Sequence, residues 1–160
     1  MNFKIGNGYD VHQLAEGLDL WIGGIKIEHS KGSVAHSDGD VLIHAICDAL
    51  LGAAGLRDIG YHFPDTSAEF KGIDSKILLK RTAEVVESKG FKIGNIDSII
   101  CLQAPKVKAM IPLMINTLAN VLGVESDCIN IKATTTEKLG FVGREEGVEA
   151  HAIALIYKQP

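Results

Sequence analysis

The segment HSDGDVLIHAICDALLGAAGL, residues 36–56, limits the fold more than any other stretch of the chain. Val41, Leu42, Ile43, Ala45, Ile46, Cys47, Ala49, Leu50 and Leu51 leave no wide polar face on a helix spanning 38–54. Such a helix is buried on most sides, within its own domain or against another subunit. Ser37 and Asp38 are N-cap candidates at its start. Asp40, His44 and Asp48 recur at intervals of four and share one side of it. Ionisable groups in a buried helix must be paired or coordinate a metal, because burying them bare is costly.

A second polar pair stands in NGYDVHQL, residues 7–14. Residues 3–13 alternate as a strand, with Phe3, Ile5, Tyr9 and Val11 on one face and Lys4, Gly6, Gly8, Asp10 and His12 on the other. Asp10 and His12 therefore point the same way, and Gly6 and Gly8 leave that face uncrowded. Two imidazoles and a carboxylate from Asp10, His12 and His44 suit zinc with one tetrahedral position open. Asp48, one turn beyond His44, is a candidate to accept its other ring N–H. A helix-stabilising Asp–His pair on a solvated face is the plainer alternative, and the residues alone do not show that strand and helix meet.

The remaining pattern mixes strands and helices. LWIGGIKIEH (20–29) reads as two short extended pieces meeting at Gly23–Gly24, a hairpin or a bulge. A helix is expected over 74–89, with Asp74 at its start and Gly90 past its end. Another runs from Pro112 in its first turn to Leu122, closed by Gly123. Strands are expected over 95–103, 128–136 and 148–157, and DIGYHFPDT (58–66) reads as a loop. No repeat or linker divides the 160 residues, so a single domain of 1–160 is expected.

Composition narrows the function classes. A net charge of −4 gives no electrostatic footprint for nucleic acid. No apolar run approaches the roughly 20 residues a membrane helix needs, and the N-terminus shows no signal or transit pattern. Cys47, Cys101 and Cys128 are odd in number and lie among apolar neighbours. They read as core residues of a cytoplasmic protein, not as disulfides or metal ligands.

Five stretches, GYDVH, AHSDGDVLIHAICDALLGAAGL, DIGYHFPDT, QAPK and KATTTEKLGFVGREEG, together resemble the 2-C-methyl-D-erythritol 2,4-cyclodiphosphate synthase family. The resemblance runs from about residue 4 to residue 157. It implies an α/β domain of α+β type, a mixed sheet covered by helices on one side, assembled as a homotrimer with active sites between subunits. The implied reaction is a phosphorus–oxygen lyase cyclisation: the 2-phosphate of 4-diphosphocytidyl-2-C-methyl-D-erythritol 2-phosphate attacks the β-phosphorus of its own diphosphate arm and releases CMP.

The resemblance also assigns residues. Asp10, His12 and His44 bind zinc, and Glu137 binds magnesium or manganese. His36 and Thr135 stabilise the transition state, and Ser37 contacts phosphate. Asp58, Gly60, Phe63, Pro64, Asp65 and Thr66 surround the erythritol. Leu102, Gln103, Ala104, Pro105 and Lys106 line the cytosine pocket, much of it through main chain, and Thr134 and Thr136 face the nucleotide. Phe141 and Arg144 match positions near a threefold axis, where an anion or isoprenoid diphosphate sits in some relatives. Here Glu145–Glu146 adds acidity at that rim. Two rivals remain at this stage: a zinc phosphohydrolase using the same ligands, and a non-catalytic nucleotide- or isoprenoid-binding protein.

Overall fold

The computed structural model describes residues 2–64, 66 and 68–158. Among them a five-stranded sheet has the order β4-β1-β7-β5-β6. Its strands are β1 (Phe3–Glu16), β4 (Lys31–Val34), β5 (Lys92–Cys101), β6 (Ile129–Thr134) and β7 (Gly147–Tyr157). β1 pairs antiparallel with β4 and β7, β5 antiparallel with β7, and β5 parallel with β6. The sheet is therefore mixed. β2 (Leu20–Ile22) and β3 (Ile25–Ile27) form a separate hairpin that turns on Gly23 and Gly24, both at positive φ.

Helices α1 (Val41–Ala54), α2 (Ile59–His62), α3 (Ser75–Ser88), α4 (Ile111–Leu122) and α5 (Gly140–Gly143) complete the order. α1 lies on β1 and β7, and α3 packs on it from outside. That explains its all-round apolar sequence: Val41, Leu42, Ile43, Ala45, Ile46, Cys47, Ala49, Leu50 and Leu51 are all fully buried. Among the described residues no helix is long and apolar enough to cross a membrane.

The seat of α1 is made of small residues. Gly6 pairs with Ala154, Gly8 with Ala152 and Asp10 with Ala150 across the β1–β7 ladder. A Cβ at Gly6 would stand 2.0 Å from the Ala49 carbonyl oxygen, and one at Gly8 would stand 1.9 Å from that of Ala45. The helix backbone thus rests directly on the strand, and His44, immediately before Ala45, comes over Asp10 and His12. The opposite face of β1 carries Phe3, Ile5, Tyr9 and Val11, all exposed in the single chain.

Several expectations need correction. Neither Ser37 nor Asp38 caps α1: the helix begins at Val41, and Asp40 is the N-cap, accepting from Ile43 N. Gly39, at φ +73, turns the chain before the helix and directs Asp38 elsewhere. Residues 58–66 are not a plain loop, because Asp58 caps the short helix α2 through Tyr61 N. β5 begins earlier than expected and β6 ends at Thr134, where the chain leaves the ladder. Cys47 and Cys101 are buried, but Cys128 is only half-buried.

Candidate metal and nucleotide site

Three side chains from two elements converge. Asp10 Oδ2 lies 3.0 Å from His12 Nε2 and 3.0 Å from His44 Nδ1, and the two nitrogens are 3.1 Å apart. Sequence separation within the strand accounts for Asp10 and His12; the glycine seat accounts for His44. The triangle is nearly equilateral, and only a proton or a cation can hold three electron-rich atoms so close. Tetrahedral zinc with bonds of about 2.0–2.2 Å to nitrogen and oxygen separates its ligands by little more than these edges. The donor set therefore fits one borderline divalent ion.

Electrostatics agree with that chemistry. Burial works to raise Asp10, but the two imidazoles outweigh it and hold the carboxylate well below its usual range. For His44 burial works to lower the imidazole, and Asp10 outweighs it, so the group lies above its ordinary value. The carboxylate is charged at neutral pH and the cluster attracts a cation.

The second nitrogen of His44 is held by a network that the sequence did not reveal. Its Nε2 is 3.0 Å from Ser75 Oγ and 3.2 Å from Ser37 Oγ. Ser75 donates its own hydroxyl proton to Asp38 Oδ1, and its backbone N–H donates to Asp38 Oδ2 at 2.8 Å. With its proton committed, Ser75 Oγ accepts from His44 Nε2–H. That fixes the tautomer and leaves Nδ1 free to face the ion.

Asp48 does not play this part. Its Oδ1 accepts from Ile59 N at 2.7 Å and ties α1 to α2, because the side chain points along the helix toward the following turn. Asp40 also leaves the expected stripe: fully buried, it accepts from Ile43 N, Gly23 N and Gly24 N. One carboxylate thus caps α1 and clamps the β2–β3 turn. Burial pushes it up, against those three N–H donors.

The triad opens into a cavity of about 320 Å³ whose lining includes His12, His36, Ser37, His44, Gly60 and Phe63. Phe70, Ile73, Leu78 and Ile59 add apolar walls that the sequence reading did not include. Asp58 is exposed beside it, one oxygen already engaged as the α2 cap. Pro64 and Thr66 are exposed and do not line this cavity; Asp65 lies outside the described residues.

A separate cavity of about 210 Å³ gathers Leu102, Gln103, Pro105, Lys106, Thr134 and Thr135. Leu102 is itself buried, its N–H donating to Thr134 O and closing the β5–β6 end. Ala104 sits in the same turn. Beyond β6, Thr135 Oγ1 donates to Glu137 Oε1 at 3.1 Å, and Thr136 Oγ1 to Leu139 O at 2.7 Å. Glu137 and Lys138 both adopt positive φ, and Glu137 is exposed. Arg144, exposed, is forked onto Glu146 with both contacts at 3.0 Å, and Phe141 is exposed near it. Within one chain His12, His36, Ser37, His44, Gly60 and Phe63 thus line one cavity, and Leu102, Gln103, Pro105, Lys106, Thr134 and Thr135 line another.

Comparison with known proteins gives a consistent answer. The YgbB family model matches residues 3–157. A Bacteroides thetaiotaomicron protein named 2-C-methyl-D-erythritol 2,4-cyclodiphosphate synthase is 63% identical over 158 residues, covering 99% of each chain. A protein of the same name from Thioalkalivibrio sulfidiphilus is 57% identical over 97% of each chain. Among solved structures, the bifunctional IspDF of Campylobacter jejuni superposes with a TM-score of 0.94 at 44% identity; this chain covers 42% of that longer one. The Plasmodium falciparum IspF–CDP complex superposes with a TM-score of 0.87 at 33% identity, covering 99% of this chain and 98% of that one. With a matching family model along almost its whole length and relatives this similar, the chain belongs to the YgbB family.

Proposed function

We infer that the chain converts 4-diphosphocytidyl-2-C-methyl-D-erythritol 2-phosphate to 2-C-methyl-D-erythritol 2,4-cyclodiphosphate and CMP, as a cyclising phosphorus–oxygen lyase of the non-mevalonate isoprenoid route. The observation that carries this reading is the Asp10–His12–His44 triangle at the mouth of a cavity walled by His36, Ser37, Gly60 and Phe63. The whole chain, 1–160, acts as one domain.

In the reaction an oxygen of the 2-phosphate forms a bond to the β-phosphorus, and the bond from that phosphorus to the CMP oxygen breaks. No water enters, so the protein's task is to position two anionic groups and offset their repulsion. Asp10, His12 and His44 hold zinc, and Glu137 holds magnesium or manganese; these ions supply Lewis-acid charge stabilisation and a template for the phosphates. Ser37 and His36, on the cavity wall, donate to phosphate oxygens. Phe63 and the apolar wall exclude water, which favours cyclisation over hydrolysis. Asp58 accepts from erythritol hydroxyls beside Gly60; Pro64 and Thr66, exposed just beyond Phe63, stay candidate substrate contacts, and Asp65 stays one from the sequence alone. The turn from Leu102 to Lys106 reads the cytosine edge, Thr134 and Thr136 flank the nucleotide, and Thr135 polarises its α-phosphate. A CDP complex of a related structure supports a nucleotide at this fold.

The two groups of residues complete one site when copies of the chain assemble as a trimer. The exposed apolar face favours that assembly: Ile5 is 62% exposed, Ile153 51% and Tyr9 45%. An anion or isoprenoid diphosphate near Phe141 and Arg144 would have to displace Glu146 from the guanidinium. The bacterial relatives and the free thiols of Cys47 and Cys101 support a bacterial cytoplasm.

Incubation of the purified chain with the substrate, zinc and magnesium tests the reading. Equal amounts of cyclic diphosphate and CMP are expected. A linear phosphate product would establish the phosphohydrolase instead, and absence of turnover with bound CDP would leave a nucleotide-binding protein.

A further inference from the structure

The sheet face turned away from α1 carries a second group of metal-ligating side chains. Glu149 and His151 are two apart on β7 and share that face. Cys101, on β5, is the cross-strand partner of Glu149. One ligand atom from each of Cys101, Glu149 and His151 lies within 4.8 Å of the other two. Adjacent strands stand about 4.7–4.9 Å apart, so the ladder itself brings thiol, carboxylate and imidazole together. From the other side, Tyr9 pairs with His151 across the β1–β7 ladder, its ring 4.8 Å away. Its hydroxyl donates to Glu149 Oε2 at 3.0 Å. Tyr9 thus orients two of the three side chains, as groups behind metal ligands do.

We propose that Cys101, Glu149 and His151 bind a second divalent ion of the zinc class, separate from the Asp10–His12–His44 site. A thiolate with an imidazole selects zinc or cobalt over magnesium or calcium. Tetrahedral coordination places such donors about 3.3–3.8 Å apart, a spacing that small side-chain rotations reach, and leaves the fourth position to water. Both sites use one plan: two ligands two residues apart on a strand and a third from the neighbouring element. They occupy opposite faces of one sheet. In the second site the ion joins β5 to β7 on the face that also bears Ile5, Tyr9, Val11 and Ile153, where the subunit contact is proposed. Cys101 binds as the thiolate, so its proton passes to solvent when the metal enters. This differs from the reading of the cysteines as core residues and not metal ligands, because Cys101, although buried, ends β5 on the sheet face that also bears Glu149 and His151.

Cobalt distinguishes the two sites. A thiolate ligand gives cobalt a near-ultraviolet charge-transfer band, to which the sulfur-free Asp10–His12–His44 site contributes nothing. The full-length chain, stripped of metal and titrated with cobalt, is expected to develop that band. The band should vanish in Cys101→Ser, require at least ~10-fold more cobalt in His151→Ala, and persist in His44→Ala. His151 is exposed, so that variant keeps the test available if Cys101→Ser folds poorly. No band at saturating cobalt in the unaltered chain, or a band undiminished in either Cys101→Ser or His151→Ala, overturns the proposal.

Discussion

His44 Nε2 lies 3.0 Å from Ser75 Oγ, and the Ser75 hydroxyl donates its own hydrogen bond to Asp38. A helix and the first residue of another, 31 positions apart, thereby set which nitrogen of His44 meets the ion. Ser75→Ala removes this lock and should weaken zinc binding by roughly 10–100-fold. Asp48→Asn, which touches α2 and not the imidazole, should leave zinc affinity within about 2-fold of the original. Competition with a chelator measures both. Equal effects of the two substitutions would contradict the assignment of the lock to Ser75.

Removing a ligand separates the Asp10–His12–His44 site from the Glu137 site. His44→Ala leaves only Asp10 and His12, so the zinc of that site and the cyclisation should be lost while far-ultraviolet circular dichroism stays unchanged. Glu137→Gln should retain that zinc and require more magnesium for turnover. Metal analysis alongside CMP release checks both, and an unchanged magnesium response would remove Glu137 from the site.

The glycine seat controls geometry as well as stability. A Cβ at Gly8 would stand 1.9 Å from the Ala45 carbonyl oxygen, next to His44. Because the obstacle is helix backbone, Gly8→Ala must push α1 off the strand, at a cost of about 3 kcal/mol or more. Zinc affinity should fall with stability in this variant, as His44 recedes from Asp10. Thermal unfolding and metal titration of Gly8→Ala provide the measurement.

Asp40 offers a contrast, since it stabilises without touching the ion. Asp40→Ala removes a helix cap and strands Gly23 N and Gly24 N, losing about 2–4 kcal/mol of stability. The zinc that remains bound in the folded fraction should be unaffected. Denaturant unfolding with and without zinc distinguishes this loss from damage to the triad.

The pH dependence has opposite signs with and without metal. In the metal-free chain Asp10 raises His44 above its ordinary value of about 6.5. The stability from that pair is complete below the unfolded value and is lost as pH rises through the folded one. Asp10, held low, keeps its contribution above its ordinary value of about 3.9 and loses it as pH falls through the depressed one. Protons compete with zinc for His44 Nδ1, so zinc occupancy instead rises with pH across the same histidine window. Melting temperature of the stripped chain and zinc content, each followed against pH, should therefore move oppositely there.

Periodicity together with capping and helix-breaking residues was enough to place most elements. The apolar run at 41–51 gave α1, Asp74 and Gly90 bracketed α3, and Pro112 and Gly123 bracketed α4. The signals that misled were local and ambiguous. Ser37 and Asp38 read as helix caps and Asp40 as part of the helix, and only the turn at Gly39 makes Asp40 the cap. Asp58 begins a helix too short for any apolar period to announce.

For the site, an i, i+2 pair on a strand and a histidine on a buried helix were readable, because both follow from backbone periodicity. Sequence by itself also determined that α1 had to be enclosed and that Asp10 and His12 shared a face. Only the tertiary structure decided which neighbours satisfied the remaining polar atoms. Ser75 and Asp38 stand behind His44, Asp48 supports α2, and Cys101 meets Glu149 and His151. Each of these contacts depends on which chain segments lie adjacent in space. A single sequence states the hydrogen-bonding capacity of a side chain, whereas packing chooses the partner that meets it.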